Sequence, residues 1–268
     1  MKIFIIFLFF IIPLIAETSY KFGVFPHMPL AKLHKVFGTV TNDLERDLNK
    51  SITLMTRPYY KQYKTELNRG LYDFAFIQPL DYVEAHRLQG YIPLARRNKD
   101  LKAILVVLKA SSYEKVSDVQ DKVIASAPAQ AAVSQMMLVS LEKDGFHALD
   151  DFTISYSKNH FVCLQKLVDA KVAACITARR AMEFFNQEKN TTNFKIIYET
   201  KTLPHALFVA HPRVPKDIRD KVQRRILRWT KYKKGRSLLK KGKLLDFIEA
   251  KDKDYDRVRE FMKRKDDK

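Results

Sequence analysis

The side chains best suited to recognising a small molecule stand where predicted strands give way to helices. Phe25, Pro26 and His27 follow a strand predicted over Lys21–Phe25. Gln78 follows the apolar run Phe74–Ile77 and precedes Pro79, a good first residue for a helix. Asn159 and His160 open a helix after the predicted strand Phe152–Tyr156, and Thr177 lies between a strand at Val172–Ile176 and a helix at Ala178–Gln187. His205 follows Pro204 before the strand Leu207–Ala210. The carboxyl edge of an α/β sheet is where ligands bind. Imidazole, amide and hydroxyl groups beside an aromatic face suit a small polar or weakly anionic solute. Each residue also has a plainer reading: Phe25–His27 as an ordinary turn, Asn159 and Thr177 as helix caps, and Tyr82, one turn into the helix after Gln78, as core.

Covalent and metal chemistry lacks its usual signatures. The seven glycines are too scattered for a phosphate loop, and there is no Gly-x-Ser-x-Gly, His-Glu-x-x-His or Cys-x-x-Cys. The seven histidines never pair at metal-ligand spacing. A binding protein without cofactor or metal is therefore expected, in place of an enzyme.

The elements that must position these residues alternate. After the first strand, Leu30, Leu33, Phe37, Val40, Leu44 and Leu48 form a helical stripe. Strand Ile52–Met55, helix Tyr59–Arg69 stopped by Gly70, strand Phe74–Ile77, a helix from Pro79 and strand Ile104–Leu108 complete a first series. A second begins near Val116: strand Val123–Ala125, helix Gln130–Asp144, strand Phe152–Tyr156, helix Asn159–Asp169, strand Val172–Ile176, helix Ala178–Gln187 and strand Phe194–Tyr198. Strand Leu207–Ala210 follows, and the chain is helical and basic from Pro215. Such alternation predicts mainly parallel sheets with helices on both faces, in two lobes sharing a cleft.

The first sixteen residues read as a cleaved signal peptide. One lysine precedes the uncharged run Ile3–Ala16, too short to span a bilayer, and the mature chain is expected to start at Glu17 outside the cytoplasm. No cysteine follows the run to carry a lipid. The formal charge is +19, and residues 213–268 hold 22 Lys/Arg against 10 Asp/Glu. An exported protein meets little nucleic acid, so this surplus is read as the wet side of amphipathic helices or as a face toward anionic membrane or polysaccharide. Cys163 and Cys175 lie among apolar neighbours and read first as two buried thiols, with a disulfide left open.

Several segments together resemble a known family. Phe22-Gly23-Val24-Phe25-Pro26, Tyr59-Tyr60, Leu67-Asn68-Arg69-Gly70-Leu71-Tyr72-Asp73-Phe74-Ala75-Phe76-Ile77-Gln78-Pro79, Ile104-Leu105-Val106-Val107 and Val116-Ser117-Asp118-Val119 are similar to the phosphate/phosphite/phosphonate-binding periplasmic proteins of ABC importers. The likeness spans roughly residues 20–250. It implies a two-lobed periplasmic binding protein fold closing like a hinge. Residues 17–103 plus 204–268 would form lobe 1 and residues 104–203 lobe 2, with crossovers near Ala103–Leu105 and Thr202–His205. The chain is expected to be a monomer that hands its solute to a membrane permease. A membrane signalling receptor is the alternative partner, with the basic C-terminal helices as docking face. Tyr60 matches a family ligand tyrosine, with Tyr59 next to it if the register slips, and Leu101 falls where another family aromatic stands. The family's hydroxyl-rich loop falls on Ala129-Gln130-Ala131-Ala132, and its Gly-His-Glu on Asn159-His160-Phe161. Hydroxyls and an acid are thus lost from the anion cradle, so phosphonate, phosphite and phosphate are expected to bind weakly.

Overall fold

The computed structural model describes residues 19–147, 150–191, 193–244 and 246–266. The predicted signal peptide and the start at Glu17 lie outside the described residues.

In chain order the elements are β1 (Tyr20–Val24), α1 (Leu30–Leu48), β2 (Ile52–Thr56), α2 (Tyr60–Asn68), β3 (Phe74–Ile77), α3 (Pro79–Gln89), β4 (Ile92–Arg97) and β5 (Ala103–Leu108). Then come β6 (Val123–Ser126), α4 (Ala132–Lys143), β7 (Thr153–Tyr156), α5 (His160–Val168), β8 (Ala174–Ala178), α6 (Arg179–Lys189) and β9 (Phe194–Glu199). The chain ends with β10 (Leu207–Ala210), α7 (Lys216–Leu227), α8 (Lys233–Gly242), β11 (Phe247–Glu249) and α9 (Asp256–Asp266).

Two sheets result. The first has the order β11-β4-β10-β3-β1-β2, the second β7-β6-β8-β5-β9. Both are mixed. Pairing is parallel in β2-β1-β3 and β7-β6-β8, as the alternation predicts. It is antiparallel wherever β10, β11 or β5 takes part, because these strands do not arise from simple right-handed crossovers within one sheet.

β4 and β11 were not among the predicted strands. Ile92-Pro93-Leu94-Ala95-Arg96-Arg97 shows no alternation, and proline removes a ladder donor. The strand survives because a register shift in β10, between Phe208 and Val209, lies beside Pro93. β8 runs two residues later than expected, so Thr177 sits inside the strand.

The buried stripe of α1, Leu33, Val36, Phe37, Val40, Leu44 and Leu48, packs on the first sheet with Phe22, Phe76 and Phe208. Gly23 in β1 allows the Tyr72 ring to lie on the strand: a β-carbon there would meet the ring at 2.4 Å. The buried Asp43 of α1 is fully paired. It accepts from Arg225 Nε and Nη2 (2.9 and 2.8 Å), Trp229 Nε1 (2.8 Å) and the Tyr232 hydroxyl (3.1 Å), tying α1 to the C-terminal helices. Burial alone raises its pKa, but the Arg225 and Trp229 hydrogen bonds bring it below the usual carboxylate range.

Cys163 and Cys175 form a disulfide joining α5 to β8. The expectation of two thiols fails because helix and strand, twelve residues apart in sequence, lie side by side with Cα atoms 5.8 Å apart, within bridging reach.

The chain passes between the sheets twice, after β4 and after β9, and the two passages run side by side. Leu101 and Leu203 exchange backbone hydrogen bonds (2.7 and 3.0 Å), and Thr200 N donates to Ala103 O at 3.0 Å. The C-terminal segment braces them, because the Tyr255 hydroxyl donates to His205 O at 3.0 Å.

Candidate functional site

Strand ends and helix starts from both sheets enclose one cavity. Phe25, His27 and Met28 follow β1; Tyr60 and Gln78 stand at the starts of α2 and α3; Arg97 ends β4. The second sheet supplies Ala131–Val133 at the start of α4, His160 and Phe161 at the start of α5, and Arg180 and Phe184 in α6. Leu101 and His205 on the crossovers close the back. Space open to water-molecule centres is about 80 Å³. One water needs about 10–15 Å³ by that measure, so the cavity has room for a small solute.

Five of the seven sequence-predicted site residues line this cavity: Phe25, His27, Tyr60, Gln78 and His160. The other two stand behind it. Asn159 caps α5, accepting from Val162 N at 3.0 Å. Thr177 holds His160, with its hydroxyl 2.8 Å from Nδ1. His205, at the second crossover, also lines the cavity.

Gln78 is fully occupied. Its Nε2 donates to Gln130 O at 2.8 Å, and its Oε1 accepts from Ala132 N at 2.8 Å, both on the second sheet's side of the cleft. It is 4% exposed. The Tyr60 hydroxyl donates to Asp81, whose carboxyl burial pushes up to about 6.

The histidines are held neutral. Burial lowers His160 to about 4, and lowers His27 to about 3 against a hydrogen bond to Phe25 O that works the other way. His205 is driven well down by burial, with Arg97 adding to the effect. His27 Nδ1 lies 2.9 Å from Phe25 O, leaving a buried Nε2 without a partner. His205 Nδ1 accepts from Ala206 N at 2.7 Å, so its proton rides on Nε2.

Arg97, which the sequence reading did not single out, is the anomaly. It is 7% exposed, and its guanidinium has no hydrogen bond or ion pair with any described residue. Its one contact of note is the Phe76 ring, 5.4 Å from Cζ. Burial, with Arg180 next, lowers its pKa to about 10, so it remains charged at neutral pH. Arg180 differs: it pairs with Glu183 at 2.9 Å and donates to Lys243 O at 3.3 Å. A buried charge needs an opposite charge or several hydrogen bonds. Asp43 has both and Arg97 has neither. The arrangement therefore presents an unmatched cation and neutral imidazoles to a cavity with apolar walls. Among the described residues no group of three or more His, Cys, Asp or Glu is placed to hold a metal.

Two mixed-sheet lobes around a shared cavity, joined by paired crossovers, define a solute-binding protein of the periplasmic type. The profile of the family described as "ABC transporter, phosphonate, periplasmic substrate-binding protein" matches residues 22–255, and the chain belongs to that family. Proteins of this family are periplasmic components that work with an ABC permease. PhnD1 from Prochlorococcus marinus, solved with methylphosphonate, superposes with a TM-score of 0.84 at 18% identity, covering 93% of this chain and 98% of its own. A binding protein component of an ABC phosphonate transporter from Pseudomonas aeruginosa gives 0.84 at 13% identity, covering 94% and 87%. A Xanthomonas citri protein bound to ATP gives 0.67 at 14% identity, covering 93% and 98%. A search of curated protein sequences gave no significant match.

His160 is a direct probe of the cavity. If the Thr177 hydroxyl donates to Nδ1, the ring keeps its proton on Nε2 and offers it to a ligand. His160→Ala should weaken solute binding by about 1–3 kcal/mol, the range for a hydrogen bond lost from a buried polar group. Equal calorimetric affinities for wild type and variant from pH 5.5 to 8 would remove His160 from the site.

Proposed function

We propose that this chain captures a small anionic solute from the periplasm and delivers it to the permease of an ABC importer, binding without chemical conversion. The buried, unpaired Arg97 carries this reading: its missing partner is the negative charge of the ligand. Phe25, His27, Tyr60, His160 and His205 supply the rest of the wall, with Asn159 and Thr177 positioning His160. Gln78 contributes by fixing the relation between the lobes. We place lobe 1 at 17–103 plus 204–268 and lobe 2 at 104–203, closing as a hinge at the paired crossover segments. Leu101–Ala103 and Thr200–Leu203 hydrogen-bond to each other, so they are suited to bend as a unit. We infer a monomer, exported by a signal peptide cleaved before Glu17.

Protein purified from the periplasm under mild conditions should carry a small acid in near-stoichiometric amount. Denaturation followed by negative-ion mass spectrometry should release and identify it. A neutral or cationic solute in that position would overturn the assignment.

A further inference from the structure

The first amide of α4 is already taken by a side chain of the protein itself. Ala132 N, the first amide of that helix, donates to Gln78 Oε1 at 2.8 Å. A helix start is where an oxyanion would ordinarily find unsatisfied N–H groups. The Gln78 amide is not free to turn away. Its nitrogen donates to Gln130 O at 2.8 Å, so the reversed amide would set oxygen against the Gln130 carbonyl and N–H against the Ala132 N–H. Neighbouring side chains offer no replacement, because positions 129, 131 and 132 are alanines.

The remaining polar lining is the Arg97 fork and three imidazoles, with Lys243, Arg180 paired to Glu183, and the Tyr60 hydroxyl committed to Asp81. Arg97 presents planar donors that match the two oxygens of a carboxylate. A phosphonate brings a third oxygen, and Ala132 N, the first amide that would meet it at α4, is spoken for. Around Arg97 the walls are apolar: Phe25, Met28, Val133, Phe161 and Phe184 line the same cavity.

We propose that Gln78 sets the ligand class, plugging the oxyanion position at the start of α4 so that the pocket takes a small carboxylate with an apolar substituent, held at Arg97, in preference to a tetrahedral phosphonate. This rests on the reading of Arg97 as the anion's partner. Gln78 thereby does two things at once. It joins the lobes across the cleft, and it takes from the site the first helix amide that a tetrahedral anion would use.

The test compares two probes of similar size, propionate and methylphosphonate, by calorimetry at pH 6.5. Wild type should bind propionate at least tenfold more tightly than methylphosphonate. Gln78→Ala, which frees Ala132 N and opens space before it, should shift that ratio toward methylphosphonate at least tenfold. Gln78→Ser, with a side chain that can donate, should shift it in the same direction and serves if the alanine variant does not fold. A wild type that prefers methylphosphonate or binds neither probe, or a folded variant with an unchanged ratio, would overturn the proposal. Arg97→Met separates the two readings. Loss of propionate binding in Arg97→Met with an unmoved ratio in Gln78→Ala would reject the role of Gln78 alone. Propionate binding that survives Arg97→Met would reject the anion site itself.

Discussion

Arg97→Met should all but abolish solute capture while leaving the protein at least as stable as wild type. The two effects have one origin. Without an anion the guanidinium is buried and has no partner among the described residues, which is an unfavourable state for a charge. A methionine of similar length keeps the packing on Phe76 and removes that charge. In the complex the guanidinium faces the anion, and truncating one member of a buried, hydrogen-bonded charge pair costs about 2–5 kcal/mol, about thirtyfold to several-thousandfold in affinity. Arg97→Lys should fall between the two, since it keeps the charge but loses the planar fork. Titration calorimetry with the co-purifying solute, alongside thermal melts of the solute-free proteins, reads both effects. Loss of stability in Arg97→Met would mean that the guanidinium serves the fold. Unchanged affinity would mean that the anion lies elsewhere.

The reason Arg97 escaped the sequence reading is the reason β4 did. Apolar stripes and alternations report residues that pack, so α1, β3 and β10 were legible to within a residue or two. In Tyr91-Ile92-Pro93-Leu94-Ala95-Arg96-Arg97 a proline and two arginines hide a strand whose neighbours, β10 and β11, come from more than a hundred residues downstream. The position between Gly90, which closes α3, and Asn98 was the available signal. The Cys163–Cys175 bridge was hidden in the same way, since it depends on β8 lying against α5. Gln78 shows a different limit. Its place after a strand identified it as facing the cleft, but its partners, Gln130 O and Ala132 N, are set by how the lobes meet. The apolar run Val172–Ile176 sets the expected strand two residues early and leaves Thr177 at its end; in the structure Thr177 holds His160 from within β8. Strand edges were thus enough to gather most of the cavity wall, and pairing across the sheets was needed to find its charge.

Lowering the pH from 7 to 5 should remove several kcal/mol of stability, and the cavity histidines are the cause. His160 titrates near 6.5 when unfolded and at about 4 in the folded protein; His27 falls to about 3, and His205 moves the same way. All are lowered first by burial, and Arg97 adds to the effect at His27 and His205. Between these values the unfolded chain binds a proton that the folded chain refuses, so stability falls as pH drops through the window from about 6.5 to about 4. His160 and His27 each cost on the order of 2 kcal/mol at pH 5, and His205 adds in the same direction. Asp81 works in the opposite sense. Its carboxyl is raised to about 6 by burial, so the folded state gains a proton first, which returns on the order of 1 kcal/mol at pH 5. The depressed carboxylates Asp43, Glu66, Glu84 and Asp252 add their own losses at lower pH, below the unfolded carboxylate range, outside this window. The histidine losses outweigh Asp81, leaving a net fall at pH 5. His160→Gln, which keeps a polar side chain toward Thr177 but cannot titrate, should flatten the slope by about one proton, about 1.4 kcal/mol per pH unit. Urea unfolding at pH 7, 6 and 5, on wild type and this variant, measures both quantities. Equal stability of wild type at pH 7 and 5, or equal slopes for the two proteins, would show that the cavity histidines already carry protons in the folded state, and that the cavity is wetter than its packing indicates.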